Sequence, residues 1–283
     1  MGLTTDIEIC ELALAKIKQF ETLSSDALTN PNTEAERACS KLFKPTRDAM
    51  IMDHNWRFAM KRVVFDIDDF LDTITASTAA NPVVVTGTDI SVANIVEGNG
   101  VFISGTGVSG LDNTIFVATN VVDAAQTLEL YKVDRVTSYD GSSLGTASAG
   151  TIRLYPLFDY AYMYKLPTDC LRVASESNLV YNWDVEDGYL LTNNNAPTVQ
   201  YVSLVETVSK YPKSFIECLT VRLGAELASG LAGDIKLKAA MLNELELLWI
   251  QKAYQLNAIE RRTEDGGYKT KPSESTSWQS AGR

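Results

Sequence analysis

The sequence predicts an α+β protein: an antiparallel helical bundle with a small mixed or antiparallel sheet, interrupted by an inserted all-β barrel or sandwich module. Three observations predict it. From Phe215 to Leu256 apolar residues recur at helical spacing over the longest periodic stretch of the chain. From Ser77 to about Ile152 the composition shifts to Val, Thr, Ser and Gly, without Met, Trp or Cys, and the pattern alternates with period two. Helical and mixed sequence stands on both sides of that stretch, so it reads as an insertion. The division expected is a core of helical bundle plus small sheet at 1–76 and 153–262, a β domain at 77–152 and an extended tail at 263–283.

The elements follow in order. Thr5-Asp6-Ile7-Glu8 fits a capping box, in which a Thr hydroxyl and a Glu carboxylate satisfy backbone N–H groups at a helix start. Ile9, Leu12, Ala13 and Ile17 then supply one apolar side. Thr33-Glu34-Ala35-Glu36 is a second capping box, opening a helix with Ala35, Ala38, Cys39, Leu42 and Phe43 inward. Pro45 is expected to kink or break that helix, because proline lacks an N–H and its ring crowds the preceding turn. Within the insertion, Pro82–Thr86, Gly100–Ser104, Thr114–Thr119, Thr127–Tyr131 and Thr151–Leu154 read as strands separated by Gly- and Asn-rich turns. Beyond it, Tyr155 to Val173 is aromatic and strand-like until Leu166-Pro167-Thr168-Asp169 interrupts it. Trp183 to Leu191 reads as a hairpin turning at Asp187-Gly188, and Pro197 to Val205 as a further strand.

The helical pair begins with Phe215, Leu219, Leu223, Leu227 and Leu231, one buried side repeating every four residues. Gly224 and Ala228 form a notch for close approach of another helix. Gly233-Asp234 supplies a C-cap followed at once by an N-cap. The second helix places Ile235, Ala239, Leu242, Leu245, Trp249, Ala253 and Leu256 inward, and its other sides around Leu245–Ile250 are apolar too, so more than one neighbour is expected for it.

Composition narrows the function. The chain has 283 residues, with 25 basic and 36 acidic side chains and a net charge of −11. A protein that grips nucleic acid by its phosphates carries the opposite sign. No apolar run approaches the roughly 18 residues of a membrane helix, and Met1 leads into a polar capped helix rather than a signal peptide. Cys10, Cys39, Cys170 and Cys218 lie far apart in apolar settings without a CxxC, as expected of reduced thiols in a protein made in a cytoplasm.

No catalytic, cofactor-binding or metal-binding residues are expected. Gly105-Thr106-Gly107-Val108-Ser109-Gly110 matches GxGxxG, but a dinucleotide site needs a helix immediately after it, and here another strand follows. Triads and zinc sites built on imidazole need histidine, and the single one, His54, between Asp53 and Asn55, reads as a structural residue near a helix end rather than as a catalytic base. Asp66, Asp68, Asp69 and Asp72 lack the glycine and closing glutamate of a calcium loop, and read as a solvated acidic segment. An enzyme is not expected.

Several of these stretches, taken in order, resemble the tail tubular protein A-like head-to-tail adaptors of short-tailed bacteriophages. The matching pieces are Ile9 to Ile17, the Glu34 to Arg47 helix, Asn55-Trp56-Arg57-Phe58-Ala59 with Arg62, Tyr160 to Val173, the Trp183 to Leu191 hairpin, and Tyr211 to Leu231 with its following helix. They cover most of the chain outside 77–152. Pro45 and the β insertion depart from the family pattern. The insertion itself is similar, more faintly, to the FCCH-type domain of ubiquitin-activating enzymes, through Val101-Phe102-Ile103-Ser104-Gly105, Ser109-Gly110-Leu111, Phe116-Val117 and Leu128.

The resemblance implies a virion structural protein at the head-to-tail junction, assembled in the bacterial host cytoplasm and forming a dodecameric ring. Its partners would be the portal protein ring, the tail nozzle protein, neighbouring copies of itself and, as a further candidate, tail fibres. Double-stranded DNA would pass through without specific binding, and no membrane is involved. On this reading Leu245, Leu248, Trp249 and Ile250, with Tyr268 and Trp278 of the tail, are expected at the portal and partner interface. Asp184, Glu186, Asp187, Asn193 and Asn194 are expected in a loop facing the nozzle. Two other classes remain. In the first, the β domain recognises host glycan or attaches fibres, for which Tyr131, Tyr139 and Phe116 offer no evident cluster. The second is a cell-wall hydrolase, for which no motif is present.

Overall fold

The computed structural model describes residues 5–67, 71–90, 93–176 and 182–259. The chain divides into two compact units, Met1–Phe58 with Val205–Arg283, and Ala59–Leu204.

The first unit is built around α3 (Lys213–Leu231). Phe215, Leu219, Leu223 and Leu227 are fully buried, as their spacing predicts, but so are Cys218 and Ala225 on other sides, with Ile216 and Val221 nearly so. The helix with several neighbours is therefore α3. It packs against α1 (Asp6–Lys16), α2 (Glu34–Met52) and α4 (Ile235–Glu244). Gly224 explains how two of them come close: a Cβ there would stand 3.2 Å from the Ala13 carbonyl oxygen of α1 and 2.8 Å from the Met241 methyl of α4.

Both capping boxes form. Thr5 and Glu8 exchange bonds of 3.0 and 3.2 Å at the start of α1, where Cys10 and Leu14 face inward and Leu12, expected inside, is 43% exposed. At α2, Glu36 exceeds its capping role. Its carboxylate accepts bonds from the Ser24 hydroxyl (2.7 Å) and from the Ser24, Asn32 and Thr33 amides (2.9, 2.6 and 3.1 Å). These donors, the Ser24 hydroxyl foremost, hold the carboxyl down at about 2 from its ordinary 4.5. A depressed carboxyl stabilises the fold in full above 4.5, and that contribution disappears as pH falls from 4.5 through about 2. Glu36→Gln is expected to lower the urea midpoint at pH 7 and to flatten its decline across that acid window, measured by tryptophan fluorescence.

Pro45 does not break α2, which runs unbroken through it. Phe43, Thr46, Arg47, Met50 and Ile51 are buried on both sides of the proline, and this burial outweighs the lost bond. Arg47, 2% exposed, is satisfied by Asp48 at 2.8 Å and Glu206 at 3.4 Å. After α2, the indole N–H of Trp56 donates to the Met50 carbonyl at 2.8 Å. Its ring meets Phe215 and His54, both at 5.1 Å, and Tyr254 at 5.5 Å. Asn257, also buried, accepts from the Arg57 amide and donates to the Asn55 carbonyl, which ties this segment to the last helix.

The second helix of the pair is not one helix. Gly233 (φ 62°) and the Asp234 cap open α4 as expected. A π-helical turn at Leu245–Trp249 then separates α4 from α5 (Ile250–Ile259). Met241, Leu245, Ala253 and Asn257 form its single buried stripe. Steps of four on a helix of 3.6 residues per turn overshoot by roughly 40° each, and the wide turn takes up that drift. Ile235 and Leu256, assigned inward by periodicity, are 74% and 42% exposed.

The expected bundle-centred fold with one small sheet is overturned by the second unit, where the β structure is more extensive and, among the described residues, antiparallel throughout. One three-stranded sheet has the order β1 (Met60–Val64), β12 (Thr198–Ser203), β9 (Cys170–Glu176). Another has the order β10 (Trp183–Glu186), β11 (Tyr189–Thr192), β8 (Tyr162–Lys165). The rest close a six-stranded barrel from β2 (Leu71–Ser77), β3 (Val84–Gly87), β4 (Gly100–Ser104), β5 (Thr114–Val122), β6 (Thr127–Tyr131) and β7 (Thr151–Leu154). Its circular order is β2-β3-β6-β5-β4-β7. The difference is physical: β1 pairs with a strand far along the chain, Met60 opposite Val202, and such long-range pairings leave no local periodicity. The barrel starts at Leu71, ahead of the compositional change, since β2 must lie beside β7 to close it.

Candidate functional site

Among the described residues the GxGxxG stretch does not form a nucleotide loop. In the GxGxxG stretch, Gly105 and Gly107 take positive φ (72° and 73°) so that the loop wraps the Asp112 carboxylate. Asp112 accepts from the Thr106 amide and hydroxyl at 2.6 and 2.8 Å and from the Gly107 amide at 2.9 Å. The Thr106, Gly107 and Val108 amides, which a phosphate would need, are already engaged within the loop. Asp72 likewise serves structure, accepting from the Thr73, Thr88 and Asp89 amides between β2 and β3. Asp68 and Asp69 lie outside the described residues. Among the described residues no group of three or more His, Cys, Asp or Glu is arranged to hold a metal, and no helix is long and apolar enough to cross a membrane. His54 stacks on Tyr254 at 3.9 Å within the aromatic cluster.

The residues expected at a partner interface separate. Leu245 is 3% exposed and belongs to the interior of its unit. Leu248 is 62% exposed. Trp249 and Ile250 are half-buried; the Trp249 indole donates to Glu244 at 2.8 Å, and the Lys16 and Lys252 ammonium groups lie 5.8 and 5.7 Å from its ring centre. Tyr268 and Trp278, with the tail at 263–283, lie outside the described residues. Periodicity missed Leu247, Ile235 and Ile259, which are 67%, 74% and 75% exposed. The signal was present in Leu245–Ile250, which is apolar on more sides than its one buried stripe needs.

The second candidate surface is in the β unit. Asp187 and Gly188 (φ 46° and 76°) make the expected two-residue hairpin turn, with Glu186 opposite Tyr189. Of the loop residues predicted there, Asn193 and Asn194 are fasteners: Asn193 accepts from the Ala161 amide at 2.9 Å, and Asn194 donates to the buried Glu176 at 2.7 Å. Asp184 accepts from the adjacent Val185 amide. Glu186 and Asp187 instead stand at the edge of a cleft of about 500 Å³.

That cleft was not visible as a cluster in sequence. Tyr155, Phe158 and Tyr160 come from the segment after the barrel, and Tyr189 from the hairpin. Arg153 braces them. Its guanidinium lies 4.9, 5.1 and 5.3 Å from the ring centres of Phe102, Tyr155 and Tyr162 and donates to the Ala161 carbonyl. Phe158 is 72% exposed. Lys165 Nζ sits 4.3 Å from the centre of Tyr189. Of Tyr131, Tyr139 and Phe116, the last two meet at 4.6 Å, but Phe116 is buried in the barrel core. Comparison with protein-family models and with curated proteins finds no match to this chain.

Proposed function

We propose that the chain is a structural head-to-tail adaptor of a bacteriophage virion. It forms a dodecameric ring between the portal protein and the tail nozzle, through which genomic DNA passes. The reading rests on the ordered sequence likeness outside 77–152. The structural observation that supports it is the apolar surface on the last helical arm. Ile235, Leu247, Leu248 and Ile259 are each at least 62% exposed along one run of 25 residues, Ile235–Ile259. Single exposed apolar residues need no explanation, but the adjacent pair Leu247-Leu248, 67% and 62% exposed, favours a partner surface. Neighbouring copies and the portal are its proposed occupants, and the hairpin loop is the part offered to the nozzle. The net charge of −11 suits a conduit, since it repels DNA within about 8 Å at physiological salt.

The test is location. With an epitope tag on this chain, gold-labelled antibody on intact virions is expected at the junction between head and tail, and purified chain mixed with portal rings is expected to add a second ring in electron micrographs. Label confined to fibres, or particles devoid of the chain, overturns the assignment.

A further inference from the structure

We propose that the cleft between Tyr155–Met163 and the β10–β11 hairpin binds a basic peptide segment of another protein, seating lysine or arginine side chains on its aromatic wall. The proposal goes beyond the adaptor reading and does not depend on it.

Four carboxylates line the cleft, those of Glu97, Asp159, Glu186 and Asp187, against the single guanidinium of Arg135. Asp159, Glu186 and Asp187 take no side-chain hydrogen bond or ion pair from the described residues, whereas Glu97 accepts one bond at 3.3 Å from the Val121 amide. Three carboxylates free to pair therefore ring a pocket of about 500 Å³, within the size range of ligand sites. Phe158 and Tyr155 add apolar faces at the opening. A long cationic side chain matches both features at once, laying its methylenes along a ring while its charged head meets a carboxylate. The protein already holds one lysine over a ring of this wall, with Lys165 Nζ 4.3 Å from the centre of Tyr189.

Charge separates the candidate ligands. Nucleic acid and acidic polysaccharide are repelled by a net charge of −3 on the lining. A neutral saccharide would stack on the rings but gain nothing from that charge. The one lining amide, Asn99, already has its oxygen engaged by the Val96 N–H. A basic segment gains from both the rings and the carboxylates.

The test uses the full chain and a fluorescent eight-residue peptide of alternating lysine and glycine, read by anisotropy. The comparison ligands are the glutamate–glycine counterpart, chitohexaose by calorimetry, and a short DNA duplex. The lysine peptide is expected to bind, with affinity falling about ten-fold in the Glu186→Gln, Asp187→Asn double variant and about three-fold in Phe158→Ala. All three positions are exposed, so thermal melting should be unchanged. The pair Asp123→Asn, Glu246→Gln removes the same charge outside the cleft and is expected to bind as the parent does. Equal weakening in that pair reduces the effect to attraction by an acidic surface and overturns the site, as does a Phe158→Ala variant with full affinity. Chitohexaose binding in place of peptide binding overturns it too, in favour of a saccharide.

Discussion

Trp56→Ala is expected to destabilise the helical unit by about 3–5 kcal/mol, the range for removing a large aromatic group from a core that cannot collapse around the gap. Trp56 is 1% exposed and touches His54 beside it and, far along the chain, Phe215 on α3 and Tyr254 on α5. Truncation also leaves the Met50 carbonyl at the end of α2 without its donor at 2.8 Å. Trp56→Phe separates these two contributions, since it keeps most of the packing and loses the hydrogen bond, and about 1–2 kcal/mol is expected for it. Chemical denaturation with paired near- and far-ultraviolet circular dichroism measures both. A loss below 1 kcal/mol for the alanine variant would mean that the aromatic cluster is loosely packed.

The double variant Leu247→Asp, Leu248→Asp is expected to act in the opposite manner, leaving the isolated chain intact and abolishing assembly. Both side chains are mostly exposed, so the melting temperature of the unassembled protein should stay within the small range of surface substitutions. If the arm is the surface between neighbours, each contact loses the burial of two leucines, about 3–6 kcal/mol, and two carboxylates enter an apolar interface. Because every copy of the proposed ring would repeat the defect, assembly with portal rings should fail outright. Electron microscopy of the mixture and complementation of a phage lacking the chain read the outcome. Normal rings with the double variant would move the interface elsewhere.

Local signals in the sequence were reliable where their physics is local. The capping boxes at Thr5 and Thr33, the Gly233-Asp234 junction and the Asp187-Gly188 turn each depend on a few adjacent residues, and each forms. The strands at Gly100–Ser104, Thr127–Tyr131 and Thr151–Leu154 also occupy the residues that alternation assigns. The failures concern relations that no window contains. Nothing near Met60 announces its partner Val202, and nothing in Leu71–Ser77 marks it as the strand that closes a barrel. Helical periodicity identified Leu245 and Ala253 as inward, but it could not foresee a π turn between them that leaves Leu247 and Leu248 outside. The cleft was hidden for the same reason: Glu97, Tyr155 and Glu186 come together only through tertiary structure.

The strands by which the chain enters and leaves the barrel, β2 and β7, are side by side, with Leu71 opposite Arg153 and Thr73 opposite Thr151. Neighbouring strands stand about 4.8 Å apart, so a short splice spans the gap, and the barrel has the wiring of a cassette that can be cut out or transplanted. It is not a self-sufficient cassette, however. Tyr189 and Leu191, from outside it, complete its apolar interior, so a new host must furnish two replacement side chains or the graft will be left with an open flank.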